Sequence, residues 1–296
     1  MDKIKLGNTN EMLPEIGIGT WKMPNNSIAA ETAIKYAIDN GAYFVDTAEM
    51  YGNEEMVGRA IKGKPVFIAT KVSPHNFRYE AIINSCNLSL RKLNVNKIDL
   101  YQLHWPNHSI PISETMKAME QLQNDGKIQH IGVSNFDIEE FEEAQNCLKN
   151  SKIVSNQIEY SVLVRDIGDN FIEFAKKNDI TILAYSPLSR GALFSEKYAD
   201  LLSTLSNIGD KYEKTPAQVA LNWLFRNGNV VAIPKAIDES HINENIGASG
   251  WHLSEKDASE ISSALSGERR RPISSIFTKT LKRNGAWSKF GSKFLK

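Results

Sequence analysis

Apolar residues in this chain gather in short runs, separated by stretches where they return every third or fourth position. The runs start near Ile16, Tyr43, Val66, Ile98, Ile128, Val154, Thr181 and Val230. A brief apolar run bounded by polar residues reads as a buried strand, and a 3.6-residue period reads as a helix packed on one face. Tyr79 to Leu93 is the clearest helix, with Ile82, Ile83, Cys86, Leu90 and Leu93 on one side. Met116, Met119 and Leu122 mark another. Thr215 and Pro216 open a third that runs to Asn227, because threonine caps a helix and proline suits its first turn.

Strand followed by helix, repeated, predicts a parallel sheet with helices outside it. Eight units spaced by roughly 25 to 30 residues match a closed (β/α)8 TIM barrel better than an open doubly wound sheet. Ile4 to Leu6, the turn residues Gly7-Asn8-Thr9-Asn10 and then Met12-Leu13 predict an N-terminal β-hairpin ahead of the barrel. The long gap from Tyr185 to Val230 predicts an added loop, Gly191 to Lys197, before the helix at Thr215. An extra helix/loop segment follows the last strand, and no linker interrupts the pattern. Residues 1–296 therefore read as one (β/α)8 domain with a basic tail from about residue 269 to residue 296.

The strand runs end on chemistry. Asp46, Lys71 and His104 each stand where a run stops, and Tyr51 lies one short loop beyond Asp46. In a closed barrel the carboxyl ends of the strands converge on one mouth, so these four side chains are expected to meet there.

Composition narrows the partners. Lys+Arg and Asp+Glu both number 35, so no global field favours nucleic acid. No apolar run is long enough for a membrane span and the N-terminus lacks a signal segment, which predicts a cytoplasmic protein. Cys86 and Cys147 read as free thiols, and the six histidines form no metal-ligand pair, so no metal is expected. The tail pairs Arg269-Arg270-Arg271 and further lysines with Phe277, Trp287, Phe290 and Phe294. It reads as a solvated tail partly packed on the barrel, with contact to an anionic surface as the alternative.

Gly17-Ile18-Gly19-Thr20-Trp21-Lys22 starts like a dinucleotide fingerprint, but Lys22 stands where its third glycine belongs. Instead, Asp46-Thr47-Ala48, Tyr51-Gly52-Asn53-Glu54, Lys71 and Leu103-His104-Trp105-Pro106 resemble the aldo-keto reductase pattern. Gly132-Val133-Ser134-Asn135-Phe136, Tyr185-Ser186-Pro187-Leu188 and Ile233-Pro234-Lys235 are similar to that family's cofactor segments, in register from about Leu6 to Asn245. The resemblance implies a barrel that binds NAD(P)H across its mouth and reduces aldehydes or ketones to alcohols. It also implies a small-molecule carbonyl as the partner and a monomer. A regulatory or sensor subunit that binds the cofactor and turns over slowly is the alternative. A steroid double-bond reductase is disfavoured, since that branch carries glutamate where His104 stands.

In that reading Tyr51 is the acid/base, Lys71 lowers its pKa, Asp46 orients the lysine and His104 positions the carbonyl oxygen. The resemblance assigns Ser134, Asn135 and Gln157 to the nicotinamide carboxamide, and Tyr185 to stacking on the ring. Ser186 and Leu188 line the pyrophosphate, while Ile233, Lys235, His241, Glu244 and Asn245 surround the adenosine end. Trp21, Met50 and Trp105 are expected to contact substrate, with Phe77, His75 and His108 as further candidates. The wall so formed is apolar and shows no carboxylate-binding arginine.

Three residues set the cofactor choice. Lys235 favours a 2′-phosphate, whereas Ala236 replaces a usual serine and His241 replaces an arginine that would clamp that phosphate bidentately. NADPH is expected to be preferred by a modest margin, with NADH usable. Steady-state kcat/KM for the two cofactors checks this, and a strong preference for NADH would overturn it.

Overall fold

The computed structural model describes residues 1–165 and 168–264, and the basic tail expected from residue 269 lies outside them. Strands β1 (Lys3–Lys5) and β2 (Met12–Pro14) form the expected antiparallel hairpin. Eight parallel strands follow: β3 (Ile18–Gly19), β4 (Phe44–Asp46), β5 (Phe67–Val72), β6 (Ile98–Leu103), β7 (Ile128–Ser134), β8 (Ile153–Glu159), β9 (Thr181–Tyr185) and β10 (Val230–Ile233). Between and after them run α1 (Ile28–Asp39), α2 (Glu54–Ile61), α3 (Tyr79–Leu93), α4 (Ile112–Asn124), α5 (Ile138–Asn146), α6 (Gly168–Lys177), α7 (Ala199–Tyr212), α8 (Pro216–Phe225), α9 (Glu239–Ile246) and α10 (Glu255–Ser263).

Each barrel strand pairs with its neighbour in sequence, from β3 round to β10. The ring then closes between the first and last strands. Gly17 N donates to Ala232 O at 2.9 Å, Gly19 N to Pro234 O at 3.1 Å, and Ala232 N to Glu15 O at 2.8 Å. Both glycines let this first strand lie close to its neighbours, Gly17 to β4 and Gly19 to β10. A Cβ on Gly17 would stand 2.6 Å from the Phe44 ring, and one on Gly19 would stand 2.8 Å from the Ile233 carbonyl oxygen. The Gly-x-Gly segment thus serves strand closure rather than a phosphate turn.

Two cores result. One lies between the sheet and the helices. The other fills the barrel, where Ile4, Leu6 and Leu13 of the hairpin pack with Phe44, Phe67, Ala69, Leu100, Leu183 and Val231. The hairpin is fastened at that end by Gly7 N donating to Thr181 Oγ1 at 2.7 Å and Thr181 Oγ1 donating to Lys5 O at 2.9 Å. Strand side chains alternate in direction, so residues two apart share a face. That step puts Asp46 beyond Phe44, Lys71 beyond Ala69, Gln102 beyond Leu100 and Tyr185 beyond Leu183. The barrel interior changes from apolar to polar within one layer.

Sequence expectation and structure part company after Tyr185. Ser189–Phe194 and Glu196–Tyr198 form tight 3-10 turns across the expected loop, and α7 fills the stretch between it and Thr215, where no element was expected. Leu201, Leu205 and Ile208 bury one face of α7, and Gly209 lets its last turn approach the Lys214 carbonyl, 2.3 Å from a Cβ built there. The helix at Thr215 forms as expected, with a capping box between Thr215 and Gln218.

The seam is the least tolerant part of the barrel, because β3 has two residues to hold it. Gly19→Ala is expected to destabilise the protein by about 1–3 kcal/mol through backbone overpacking. Thermal and urea unfolding read this directly, and unchanged stability would contradict the seam assignment.

Candidate active site

Four strands contribute to one polar floor at the mouth. Lys71 ends its inward row on β5, fully buried, and Asp46 on β4 is 2 % exposed. The Lys71 ammonium donates to Asp46 Oδ2 at 2.6 Å, to the Thr47 carbonyl at 2.8 Å and to the Tyr51 hydroxyl at 3.4 Å. Its three N–H bonds therefore have three acceptors. Asp46 Oδ1 accepts from Gln157 Nε2 at 2.8 Å and Gln102 Nε2 at 3.2 Å, and Gln157 also donates to Gln102 Oε1 at 3.3 Å.

A buried ion pair holds only when its remaining lone pairs and protons are satisfied. Gln102, which sequence reasoning missed, supplies part of that satisfaction. Its one signal was a neutral polar residue inside the apolar run Leu100-Tyr101-Gln102-Leu103. Gln157, expected at the cofactor, here has its amide nitrogen committed to Asp46.

Tyr51 sits in a short turn after β4 that is held from several sides. Glu49 Oε1 accepts from Ser73 N at 2.5 Å and from Asn76 Nδ2 at 3.0 Å, tying the turn to the loop after β5. Thr47 Oγ1 donates to Asn53 Oδ1 at 2.9 Å, and Asn53 Nδ2 donates to Thr20 O at 2.8 Å and Met23 O at 3.1 Å. The Tyr51 ring meets His104 edge to face, with centroids 5.6 Å apart. All four expected side chains are thus brought together.

Their ionisation differs from expectation in one respect. Lysine was expected to lower the Tyr51 pKa. Burial instead pushes the phenol well above its ordinary value, the Asp46 charge adds to this, and Arg190 opposes it. Burial also pulls the Lys71 ammonium below the usual lysine value, against Asp46. His104 is held well below its ordinary value by burial and by the Lys71 charge. Tyr51 stays protonated and His104 stays neutral at ordinary pH.

The ends of β7, β8 and β9 form a second network beside the first. Ser134 Oγ donates to the Gln157 carbonyl at 2.9 Å. Asn135 Nδ2 donates to Ser134 Oγ at 2.9 Å and to the His104 carbonyl at 3.2 Å, while Asn135 Oδ1 accepts from the Tyr185 hydroxyl at 2.9 Å. Tyr185 is half-buried and packs against the inner core. Ser186, Ser189, Arg190 and Gly191 have φ of 49°, 52°, 57° and 82°, a left-handed course that non-glycine residues rarely take. Leu188 packs half-buried against the outer core.

That turn carries a residue the sequence reading passed over. The Arg190 guanidinium lies 4.6 Å from the Trp21 ring centroid, and Lys22 Nζ lies 4.8 Å from it. Arg190 also donates from Nε to Ser186 Oγ at 3.3 Å. Trp21, Met50 and Trp105 are half-buried at the mouth as expected, but the rim is cationic rather than purely apolar.

Phe77 is 1 % exposed in the outer core, so it cannot serve the mouth. His75 is exposed and pairs with Ser73 Oγ. His108 reaches across to Glu140 at 3.1 Å.

At the end of β10 and beyond it, Ile233 and Asn245 are buried, Glu244 is half-buried, and Lys235 and His241 are exposed. His241 Nδ1 lies 3.7 Å from Asp238 Oδ2, which puts an acid beside the corner expected to meet a 2′-phosphate. The residue set fits a dinucleotide. It offers an aromatic face at Tyr185, amide and hydroxyl groups at Ser134 and Asn135, and cations at Lys22, Arg190 and Lys235 for phosphates. Among the described residues no group of three or more His, Cys, Asp or Glu side chains is placed to hold a metal ion. Nor is any described helix long and apolar enough to cross a membrane. Cys86 and Cys147 are free, as expected.

The ion pair makes a direct prediction. Lys71→Met leaves Asp46 buried and uncompensated and is expected to cost about 3–5 kcal/mol. Adding Asp46→Asn is expected to recover most of that loss. Urea denaturation of the two variants reads the difference, and equal losses would refute the coupling.

Comparison with known proteins gives this arrangement its family. Residues 15–266 match the sequence profile of the Aldo/keto reductase family. The chain is 37 % identical over 278 residues to a glyoxal reductase of Bacillus subtilis (strain 168), covering 92 % of this chain and 95 % of that protein. It is 34 % identical to a methylglyoxal reductase of Escherichia coli (strain K12), over 79 % of this chain and 84 % of the other.

Solved structures agree. A thermostable aldo-keto reductase in complex with the inhibitor epalrestat superposes with a TM-score of 0.83 at 39 % identity, covering 89 % of this chain and 100 % of its own. An aldo/keto reductase from Klebsiella pneumoniae in complex with NADP and acetate superposes at 0.81 with 30 % identity, covering 92 % and 98 %. The chain belongs to the aldo/keto reductase family and is an NAD(P)H-dependent oxidoreductase.

Proposed function

We propose that the chain reduces small aldehydes and ketones at this mouth, with Tyr51 as proton donor. The observation that carries the reading is the buried relay in which Lys71 Nζ stands 2.6 Å from Asp46 Oδ2 and 3.4 Å from the Tyr51 hydroxyl. The cofactor, when bound, supplies hydride to the carbonyl carbon. Ser134, Asn135 and Gln157 would hold its carboxamide, Tyr185 would meet its ring, and Ser186 and Leu188 would line its pyrophosphate. Ile233, Lys235, His241, Glu244 and Asn245 would take its adenosine end.

The protein's own part is to receive charge on the carbonyl oxygen. His104 Nδ1 is buried without a hydrogen-bond partner. A proton there would be an unpaired buried donor, so the neutral ring carries it on Nε2, where it can donate to the substrate oxygen. As negative charge builds on that oxygen, Tyr51 transfers its proton and the Lys71 ammonium faces the phenolate left behind. Asp46 keeps the ammonium in place, and the two glutamine amides keep Asp46 in place. A donor that stays protonated until charge arrives is what the raised Tyr51 pKa provides.

The substrate class we assign is short and includes 1,2-dicarbonyl compounds. The names of the glyoxal and methylglyoxal reductases among the relatives support this. We read residues 1–296 as one domain, a reading supported by the family match across residues 15–266. From the same family resemblance we infer a cytoplasmic monomer.

NADPH oxidation with a panel that includes glyoxal and methylglyoxal tests the reading. Tyr51→Phe is expected to lower kcat/KM by about 10²- to 10⁴-fold while cofactor binding persists. Because Tyr51 is held above its ordinary pKa and His104 below, reduction is expected to stay level between about pH 6 and pH 9. No limb should mark histidine near its ordinary value. Full activity in Tyr51→Phe would sink the mechanism, and cofactor binding without turnover of any carbonyl would favour a sensor.

A further inference from the structure

The segment that carries Tyr51 is held at both ends by consecutive residues of one strand. Lys71 takes Asp46 on the inner face of β5. Thr70, one position earlier and so on the outer face, donates from Oγ1 to Glu54 Oε1 at 2.7 Å. Glu54 opens α2 three residues after Tyr51 and is 1 % exposed. Charged side chains are rarely buried so fully unless paired.

Glu54 has no salt-bridge partner of its own among the described residues. Oε2 lacks a hydrogen-bond partner, as do Ser89 Oγ of α3 and the Tyr101 hydroxyl of β6, both also buried. The charged and titratable groups around Glu54 come from every neighbouring element. Lys92 and Cys86 lie on α3, Glu49 on the Tyr51 turn, Lys71 on β5 and Tyr101 on β6. Burial raises its carboxyl, while the Thr70 hydroxyl and the Lys92 charge favour the charged form. The helix N-terminus does likewise. Lys71 responds to Glu54 in the direction that keeps the ammonium protonated.

We propose that Glu54 is a positioning residue that acts on the Asp46–Lys71–Tyr51 relay from behind the sheet. Its carboxylate pins the far end of the Tyr51 segment to β5 and supplies Lys71 with a second negative neighbour. It touches neither substrate nor cofactor. This rests on the relay reading above, and nothing in that reading required a second carboxylate.

The sign of its effect follows from charge. Removing a negative group lets Lys71 lose its proton more easily, and the same change makes the nearby Tyr51 phenol easier to ionise. Both move the alkaline fall of the reduction rate to lower pH.

Glu54→Gln keeps an acceptor for Thr70 and removes the charge. Glu54→Asp keeps the charge and shortens the reach. The kcat–pH profile for aldehyde reduction is expected to show the alkaline limb displaced to lower pH in Glu54→Gln, with kcat down about 3- to 10-fold and both KM values within about 2-fold. In Glu54→Asp the limb is expected to stay where the parent has it. An unmoved limb in Glu54→Gln, or an equal displacement in Glu54→Asp, would overturn the proposal.

Should Glu54→Gln fail to fold by circular dichroism, Glu54→Met, which removes the charge and keeps a side chain of similar length, carries the test. It is expected to shift the limb in the same direction, and an unmoved limb overturns the proposal there too. Lys71→Met and Tyr51→Phe run alongside. If those two keep parent activity, the relay itself is wrong. If they lose it while the Glu54 profiles match the parent, this inference alone fails.

Discussion

The contact between Asp46 and Lys71 is the interaction the site depends on. Two opposite charges placed in the low-dielectric interior of a barrel are costly to desolvate, and their attraction offsets that cost only when every other polar atom is served. Here the serving is done from three further directions, by the Thr47 carbonyl, the Gln102 amide and the Gln157 amide. Each of those groups sits on or just beyond a different strand end. The pair therefore reports on the register of half the barrel, and the register in turn fixes where Tyr51 can stand.

Burial then does two opposite things with one cause. It disfavours charge on the phenol and charge on the imidazole, so Tyr51 moves up and His104 moves down. The mouth consequently holds one compensated ion pair and two neutral proton carriers before substrate arrives. Charge appears there only when the reaction makes it, and the donors are already aimed and need no reorganisation.

Much of this was readable in the chain, for identifiable reasons. Parallel strands are buried on both faces and end abruptly, so Asp46, Lys71 and His104 stood out against apolar runs. Tyr51 was readable from its short spacing to Asp46. Gln102 was hidden because a polar side chain on an inward position looks like noise inside Leu100-Tyr101-Gln102-Leu103. Arg190 was hidden because a left-handed turn at Ser189 to Gly191 has no compositional signal except its one glycine. α7 was hidden by its many poor helix formers, Ser203, Thr204, Ser206, Asn207 and Gly209, set among few apolar residues. The direction of the Tyr51 shift was misjudged because a pairwise charge argument omits the desolvation that dominates a buried group.

The seam at Gly17 and Gly19 also bears on how the chain reaches this state. The backbone bonds that close the ring join residues from opposite ends of the described chain, Gly17 with Ala232 and Gly19 with Pro234. During synthesis, strands β4 to β9 can pair in order as they emerge, but β3 and β9 remain open edges until β10 is made. Unpaired strand edges are templates for association with other chains. The nascent protein therefore spends most of its translation as an open sheet. The contact that ends this exposure is the last strand pairing available to it.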